Sequence, residues 1–345
     1  MSSSSKRISR RGFLKLTGTG LVGLLLGGTA APLLQRLKQP LADVSIFKES
    51  SYSNNLVETI RKGVSNYPHV VEKVKGGRVV LKPNVVDHYP GHPINTDPAM
   101  IAAAIAAFRQ LGAQEVIVAE GPGHNRDVES LLSLSGVDGA IRDEKVKFVD
   151  LNLDSISPVN ITSNYTGLSQ FFFPHTILGA DLVVSMPKLK THHWAGVTLS
   201  LKNLFGTIPG VKYGWPKNFL HWYGIEESIA DIASTIQPGF AIVDGIIGME
   251  GDGPLHGTPV NSGVIVMGDN LTAVDATATR IMGFYPEQIQ HLSLMIPYGG
   301  TINGALIRQL GEPLFTMPEK FKVLRHNTFV TEKPSIWKQA LISGW

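Results

Sequence analysis

The stretch LVVSMPKLKTHHWAGVTLSLKNLFG, residues 182–206, decides the fold that the sequence predicts. It opens on consecutive apolar residues at positions 182 to 184 and reaches a proline at position 187. An apolar run that stops at a proline and turns polar is typical of a buried strand. Polar groups that follow a strand lie where open α/β sheets bind their ligands. The stretch therefore predicts a ligand site at the carboxyl end of a strand.

The polar residues of this stretch are mostly cationic. They are Lys188, Lys190, His192, His193, Lys202 and Asn203. Charged runs are usually solvated surface, and a solvated basic loop is an equally good interpretation of three lysines alone. These lysines, however, are interleaved with His, Trp and Gly residues, and they lead into Gly206, Pro209 and Gly210, a series typical of a rigid turn. We therefore interpret the stretch as an anion-binding site.

Alternate side chains of an extended segment lie on the same face. Lys188, Lys190 and His192 therefore form a set, which we predict to be the catalytic group, whereas His193 points to the opposite face. The lysines would hold phosphate or carboxylate as point charges. His192, with an ordinary pKa of ~6.5, would act as the acid or base.

Composition places the chain among globular proteins. Its 345 residues are 43% hydrophobic and 17% charged, which suffices for one large domain or two small ones. The sequence contains no cysteine, so the chain itself cannot form a disulfide, a thiolate nucleophile or an iron–sulfur cluster.

The net charge of +3 arises from the N-terminus. Residues 1–40 hold seven of the 31 basic residues and no acidic ones, which leaves 24 basic against 28 acidic residues, a net charge of −4, for the rest. A general nucleic-acid surface usually needs a basic domain, so we expect no nucleic-acid partner.

The N-terminal residues resemble a twin-arginine export signal. Positions 9–15 read SRRGFLK, and an apolar, glycine-rich run follows to about Leu34. We predict that residues 1–42 direct export by the twin-arginine translocase, to the periplasm or the outer face of the cytoplasmic membrane. Cleavage before Ala31 and retention as a membrane anchor both stay open, because ~20 apolar residues span a bilayer.

From residue 43 to residue 330, strand patterns alternate with helix patterns. The best marked helix follows Asn95-Thr96-Asp97-Pro98, which supplies a capping residue and a proline for the first turn. Such alternation predicts an α/β domain with a mainly parallel sheet and helices on both faces, in one body or in two lobes. Residues 331–345 are expected to form a tail.

Polar residues recur just after the predicted strands. Lys82 and Asn84 follow one strand, Glu120 follows another, and Asp244 ends a third. Because parallel strands end along one edge of a sheet, these residues can converge on one cleft. We predict a ligand-binding set that holds the anion and orients it, composed of Lys82, Asn84, Glu120, Lys202 and Asn203.

A glycine-rich segment, residues 244–259, contains three carboxylates: Asp244, Glu250 and Asp252. Carboxylates suit a hard divalent cation such as Mg²⁺ or Mn²⁺, so these three are the candidate metal ligands. The alternative is a turn-rich loop with solvated acids. The sequence contains no phosphate-binding loop of the nucleotide-hydrolase type and no Gly-x-Ser-x-Gly elbow, which argues against nucleotide hydrolysis and serine esterase chemistry.

An ordered set of short motifs resembles the prokaryotic family known as domain of unknown function 362. The motifs are LKPN at 81–84, NTDP at 95–98, EG at 120–121, MPKLKTH at 186–192, SLKN at 200–203, VDG at 243–245 and DA at 275–276. Some members of that family carry ferredoxin-like iron–sulfur modules and others are exported. Without cysteine, this chain resembles the exported type. The resemblance implies no particular reaction.

Two functional hypotheses follow. The first is an exported enzyme acting on a small molecule that bears phosphate or carboxylate, with assistance from a divalent metal. The second is a non-catalytic ligand-binding or accessory protein of a periplasmic redox system.

Overall fold

A computed structural model describes residues 42–123, 127–315, 317, 320–324 and 330–331. The predicted twin-arginine signal and the predicted tail beyond residue 331 lie outside these residues. The strands are β1 (Ala42–Lys48), β2 (Arg78–Pro83), β3 (Glu115–Glu120), β4 (Lys147–Asp150), β5 (Ile156–Asn160), β6 (Gln170–Pro174), β7 (Leu182–Met186), β8 (Lys188–His192), β9 (Gly196–Thr198), β10 (Phe240–Glu250), β11 (Thr258–Gly268) and β12 (Ile307–Gly311).

The helices lie mainly between these strands. They are α1 (Leu56–Ser65), α2 (Pro68–Val74), α3 (Pro98–Gln110), α4 (Val128–Leu134), α5 (Val137–Asp143), α6 (His175–Leu178), α7 (Ser200–Asn203), α8 (Gly210–Tyr213), α9 (Asn218–Trp222), α10 (Ile225–Ile236), α11 (Leu271–Ile281) and α12 (Gln290–Leu294). Short 3₁₀ turns occur at Leu204–Thr207, Pro286–Gln288, Ile296–Tyr298 and Gly304–Leu306.

Ten of the strands form one mixed sheet in the order β12-β1-β11-β10-β7-β2-β3-β4, with β8 paired to β10 and β9 to β8. The run β10-β7-β2-β3-β4 is parallel throughout, whereas β11 is antiparallel to both of its neighbours. The predicted α/β fold with a mainly parallel sheet is confirmed. All the described residues belong to one structural unit, which does not support the alternative of two lobes.

Helices cover both faces of the sheet because successive strand residues point to opposite sides. On β11, Val264 and Val266 belong to the core that contains residues of α10 and α11. Their neighbours Ile265 and Met267 belong to the core that contains residues of α1 and α3. The near-continuous apolar strands of the sequence are thus buried from both sides, as expected for the centre of such a sheet.

The best marked helix of the sequence begins where its motif places it. Asp97 is the N-cap of α3 and its Oδ1 accepts a hydrogen bond of 2.9 Å from Ala99 N, while Pro98 occupies the first turn. This cap satisfies a helix-terminal N–H that would otherwise be unpaired. It also fixes the end of the connection between β2 and α3, and this connection begins with Asn84.

The glycine-rich segment is not the loop that its composition predicts. β10 continues through Asp244 to Glu250 and forms an antiparallel hairpin with β11, with an irregularity between Gly245 and Ile247. A Cβ on Gly245 would lie 2.9 Å from the Leu189 side chain. The glycine is therefore needed for close packing of β8 rather than for a turn.

None of the described helices has both the length and the apolar character needed to cross a bilayer.

Candidate functional site

The carboxyl ends of β2 and β3 border a cavity of about 100 Å³. β8, α7 and the 3₁₀ turn Leu204–Thr207 also contribute to its wall. Its polar lining is strongly basic: the charged or titratable residues are Lys82, Glu120, Lys190, His192, Lys202 and Lys217. Asn84 and Asn203 also line it. The position agrees with the general rule that α/β sheets bind ligands at the carboxyl ends of their strands.

Lys82 and Glu120 form a buried ion pair at the base of the cavity. The distance from Lys82 Nζ to Glu120 Oε2 is 2.7 Å. Lys82 Nζ also donates to Asn203 Oδ1 at 3.0 Å and to the carbonyl of Pro83 at 2.9 Å. Three acceptors use all three N–H groups of an ammonium, so the geometry suits a charged lysine. Burial lowers the pKa of Lys82, and Glu120 acts in the opposite direction.

The backbone holds the Glu120 carboxylate in place. Oε1 accepts from Gly121 N at 2.9 Å, and Oε2 accepts from Val85 N at 3.0 Å. A further constraint comes from Gly206, where a Cβ would lie 2.6 Å from Lys82 Nζ and still closer to Glu120 Oε1. Only glycine lets this backbone approach the ion pair so closely.

Lys202 projects from α7 and is half-buried. Its Nζ lies 4.4 Å from the centroid of the Phe205 ring, a cation–π distance. Within the described part of the chain, no acceptor lies within hydrogen-bond distance of this Nζ. Desolvation lowers the pKa of Lys202 to about 8, and the positive charge of Lys82 adds to the effect.

Lys217 is a cavity residue that the sequence did not indicate. Its side chain is buried, and its Nζ donates to the carbonyl of Gly121 at 2.8 Å. Burial lowers the pKa of Lys217 to about 7 although Glu120 opposes the shift. No strand or glycine pattern precedes it, and the residues before it, Trp215 and Pro216, read as an ordinary turn. The sequence therefore carries no local signal for this site residue.

Lys190 and His192 reach the cavity from β8. Lys190 Nζ donates to the carbonyls of Ile94 at 2.7 Å and of Pro254 at 3.2 Å, and burial lowers its pKa well below the ordinary value. His192 Nδ1 accepts a hydrogen bond of 3.1 Å from Trp194 N. A ring nitrogen that accepts a bond is unprotonated, so the neutral ring carries its proton on Nε2. Burial lowers the pKa of His192 well below its usual range, which favours that form.

The two asparagines connect the cavity to the strand ends. Asn203 Nδ2 donates to the carbonyl of Lys82 at 3.0 Å and to Ser185 Oγ at 3.1 Å. Asn84 Nδ2 donates to Asn203 Oδ1 at 3.2 Å. Asn84 Oδ1 is buried and has no partner among the described residues. It is an acceptor that a hydrogen-bond donor of a ligand would satisfy.

Lys188 does not line the cavity with Lys190 and His192. The pairing of β8 with β10 sets Asp244 opposite Lys188, and Lys188 Nζ lies 2.7 Å from Asp244 Oδ2. Tyr52 completes this group, because its hydroxyl donates to Asp244 Oδ1 at 2.7 Å and accepts from Lys188 Nζ at 2.9 Å. Burial raises the pKa of Tyr52, so the phenol stays protonated. The structure thus divides the predicted catalytic set between two places.

The three predicted metal ligands are not brought together either. Asp244 is occupied by Lys188, and Glu250 Oε1 lies 2.8 Å from Lys322 Nζ. Asp252 is exposed at the tip of the β10–β11 hairpin. Across the residues that the structure describes, no group of three His, Asp or Glu side chains could hold a metal ion. Of the three predicted ligands, the two buried carboxylates, Asp244 and Glu250, each already have a lysine partner, so this set does not fit a divalent cation.

An aromatic rim, composed of Phe205, His221 and Trp194, leads from the cavity to the surface. The rings of Phe205 and His221 lie 5.1 Å apart, and those of His221 and Trp194 lie 5.2 Å apart. Trp194 is 59% exposed. The three rings therefore connect Phe205, which lines the cavity, to the exposed Trp194.

Comparison with known proteins identifies relatives of this chain. A thylakoid-associated protein of Synechocystis is 26% identical over 257 residues, which cover 71% of this chain and 76% of that protein. Two solved structures are similar at lower identity. They are the lactate racemase apoprotein of Thermoanaerobacterium thermosaccharolyticum (12% identity, TM-score 0.43, 69% of this chain) and a protein of Thermotoga maritima (14% identity, TM-score 0.39, 64% of this chain).

The matches span 57% and 58% of the lengths of those two solved chains. The family model of the domain of unknown function DUF362 matches residues 79–280. That range runs from β2 to the penultimate residue of α11 and contains every charged residue of the cavity lining. The chain therefore belongs to the DUF362 family.

Proposed function

We propose that the cavity binds a small anion that bears a phosphate or carboxylate group. The observation that carries this proposal is the charge balance: four lysines and one carboxylate line the same small cavity. Glu120 is paired with Lys82, so among the described residues of the cavity lining there is no carboxylate left to pair with Lys190, Lys202 or Lys217. Desolvated cations without counter-charges are costly, and an anion between them offsets that cost.

The dimensions of the cavity restrict the size of the bound group. A water molecule needs ~15 Å³ of the same measure of volume, so about 100 Å³ accommodates roughly seven water-sized atoms. That suits a phosphate, a short carboxylic acid or the charged end of a longer molecule. The remainder of a longer ligand would lie along the aromatic rim.

The cavity lysines support an enzyme that acts on the anion better than a protein that only carries it. Lysine amines with a pKa near neutrality are suited to proton transfer or nucleophilic attack, and they concentrate at active sites. Lys202 and Lys217 have this property. A carrier that releases its ligand unchanged would need the charges but not the lowered pKa values.

We also propose, from residues 9–15 alone, that the protein works after export by the twin-arginine translocase. Transport of the folded chain would carry the assembled cavity across the membrane. An N-terminus that is not cleaved would then anchor the domain at the outer face of the cytoplasmic membrane.

Calorimetric titration with inorganic phosphate and with oxalate tests the binding proposal. The matched variants are Lys202→Met and Lys212→Met, because Lys212 also lies over an aromatic ring, at 4.3 Å from the centroid of Phe172, but on the exposed surface. Loss of a desolvated charge contact costs ~2 kcal/mol or more, so Lys202→Met should weaken binding ~30-fold. Lys212→Met should bind as the wild type does. The proposal would be refuted if the wild-type protein bound neither phosphate nor oxalate.

A further inference from the structure

The four cavity lysines differ in how many hydrogen bonds their ammonium groups donate. Lys82 donates three, Lys190 donates two and Lys217 donates one. Lys202 donates none within the described part of the chain, and its Nζ lies over the face of the Phe205 ring. An ammonium has three donors, so Lys202 is the cavity lysine with the least to lose when it becomes a neutral amine.

The surroundings of Lys202 increase the fraction of neutral amine, although Glu226 and Glu120 oppose the shift of its pKa. Desolvation and the nearby Lys82 lower its pKa to about 8, so roughly a tenth of the amine is unprotonated at pH 7. A lysine placed in a partly apolar pocket beside another cation is a recognised form of activated nucleophile. Lys82, with its three acceptors, is the cation that stays charged.

The backbone that carries Lys202 is held firmly. Asp275 of α11 is buried, and its carboxylate accepts from Ser200 N at 2.8 Å and from Leu201 N at 2.9 Å, which caps the first turn of α7. Asn203, the next residue after Lys202, is bonded to the Lys82 carbonyl. The amine is thus free at its end while its Cα is fixed from both sides, which suits attack on a bound substrate.

We propose that Lys202 forms an imine with the carbonyl carbon of a small 2-oxo acid bound in the cavity. This inference rests on the proposed anion binding, because the carboxylate of the 2-oxo acid would be the anion held by the other lysines. The lone pair of the neutral Lys202 amine attacks the carbonyl carbon, and the two protons of the amine pass in turn to the former carbonyl oxygen. Loss of that oxygen as water leaves a carbon–nitrogen double bond, so amine and carbonyl give imine and water without any change of oxidation state.

Borohydride trapping on the full chain tests this inference. The protein is incubated with pyruvate, reduced with sodium borohydride, and examined by intact mass and by peptide mapping. We expect one reduced adduct on Lys202 that excess inorganic phosphate suppresses. Lys212→Met should retain the adduct and Lys202→Met should lose it, with melting temperatures recorded for both variants. Mapping of the wild-type protein decides the site even where a variant folds poorly.

Binding of pyruvate, measured by calorimetry without borohydride, separates the two proposals. Pyruvate that binds in competition with phosphate but is never trapped overturns the imine and leaves anion binding intact. Trapping confined to Lys217 or Lys190 also overturns the assignment to Lys202. A wild-type protein that binds neither pyruvate nor phosphate overturns both proposals together.

Discussion

Lys82 and Glu120 come from adjacent parallel strands, 38 positions apart in the sequence, and their Nζ and Oε2 atoms meet at 2.7 Å with both side chains almost fully buried. An ion pair of this kind is not by itself a source of stability, because both charges lose their hydration. Its effect is to keep one cation in the cavity charged and fixed. Lys82 therefore has a fixed counter-charge, which the other three cavity lysines lack among the described residues of the cavity lining.

Removal of the carboxylate from this pair should destabilise the fold. Glu120→Gln leaves Lys82 buried without a counter-charge, and we expect the free energy of unfolding in urea to fall by ~3–5 kcal/mol. Glu115→Gln is the matched control, because Glu115 pairs with Arg78 at the exposed start of the same strand. Its expected loss is under ~1 kcal/mol. Equal losses in the two variants would contradict a special role for the buried pair.

Lys188 should matter for stability and not for the cavity. Lys188→Met leaves the buried Asp244 carboxylate without its cation, so we expect a loss of ~3–5 kcal/mol in urea unfolding. Phosphate affinity of the folded variant should stay within about twofold of the wild type, because Lys188 does not line the cavity. Lys190→Met should weaken phosphate binding in the same assay. A large loss of affinity in Lys188→Met would show that the two sites are coupled.

The stability of the ligand-free protein should rise between pH 7 and pH 10. Burial lowers the pKa of Lys217 to about 7 in the folded state, against ~10.4 in the unfolded chain. Between these values the unfolded state binds more protons, so the free energy of unfolding increases with pH. The destabilisation from the buried charge is complete below pH 7. Urea unfolding across this range should give a rising curve that is less steep in Lys217→Met, where the lowered pKa values of Lys190 and Lys202 still contribute. An unchanged slope in that variant would be evidence against the assignment.

Anion affinity should change with pH in the opposite direction. Lys202, with its pKa lowered to about 8, loses its charge as the pH rises through that value. We therefore expect the phosphate dissociation constant to increase above pH 8 in calorimetric titrations. The bound anion favours the charged lysine and moves the midpoint upward. Affinity that is constant from pH 7 to pH 10 would show that Lys202 does not contact the anion.

The export proposal makes a separate prediction about the N-terminus. Changing Arg10 and Arg11 together to lysine should leave the protein folded in the cytoplasm, because the signal depends on the arginine pair. Fractionation of cells that produce each form checks this. Continued export of the double variant in a strain without the twin-arginine translocase would show that these residues are not such a signal.

The sequence was sufficient to predict those features that depend on local pattern. Alternating strand and helix patterns predict the α/β class, and the Asp97-Pro98 cap predicts the start of α3. Polar residues at strand ends identify a group that does lie together, because Lys82, Glu120, Lys190 and Lys202 all line the cavity. Their role in binding stays a prediction.

Features that depend on pairing between distant strands could not be predicted. The alternation of side chains along a strand predicts the same face for Lys188 and Lys190. Only the register of β8 against β10 places Asp244 opposite Lys188. The glycines of β10 read as turn residues in the sequence, whereas in the structure Gly245 makes room for the Leu189 side chain and Gly248 for the Leu189 carbonyl. β12 is a short strand whose pairing with β1 joins residues more than 260 positions apart. In each case the deciding contact is remote in sequence.

The tip of the β10–β11 hairpin contacts both a lysine of the cavity and the segment 320–324. On one side, the carbonyl of Pro254 accepts from Lys190 Nζ at 3.2 Å. On the other side, Gly251 N donates to the carbonyl of Lys322 at 2.8 Å. None of the described residues 320–324 lines the cavity. The contact of the segment 320–324 with the hairpin therefore helps to hold in place the loop whose carbonyl accepts a hydrogen bond from a lysine of the cavity wall.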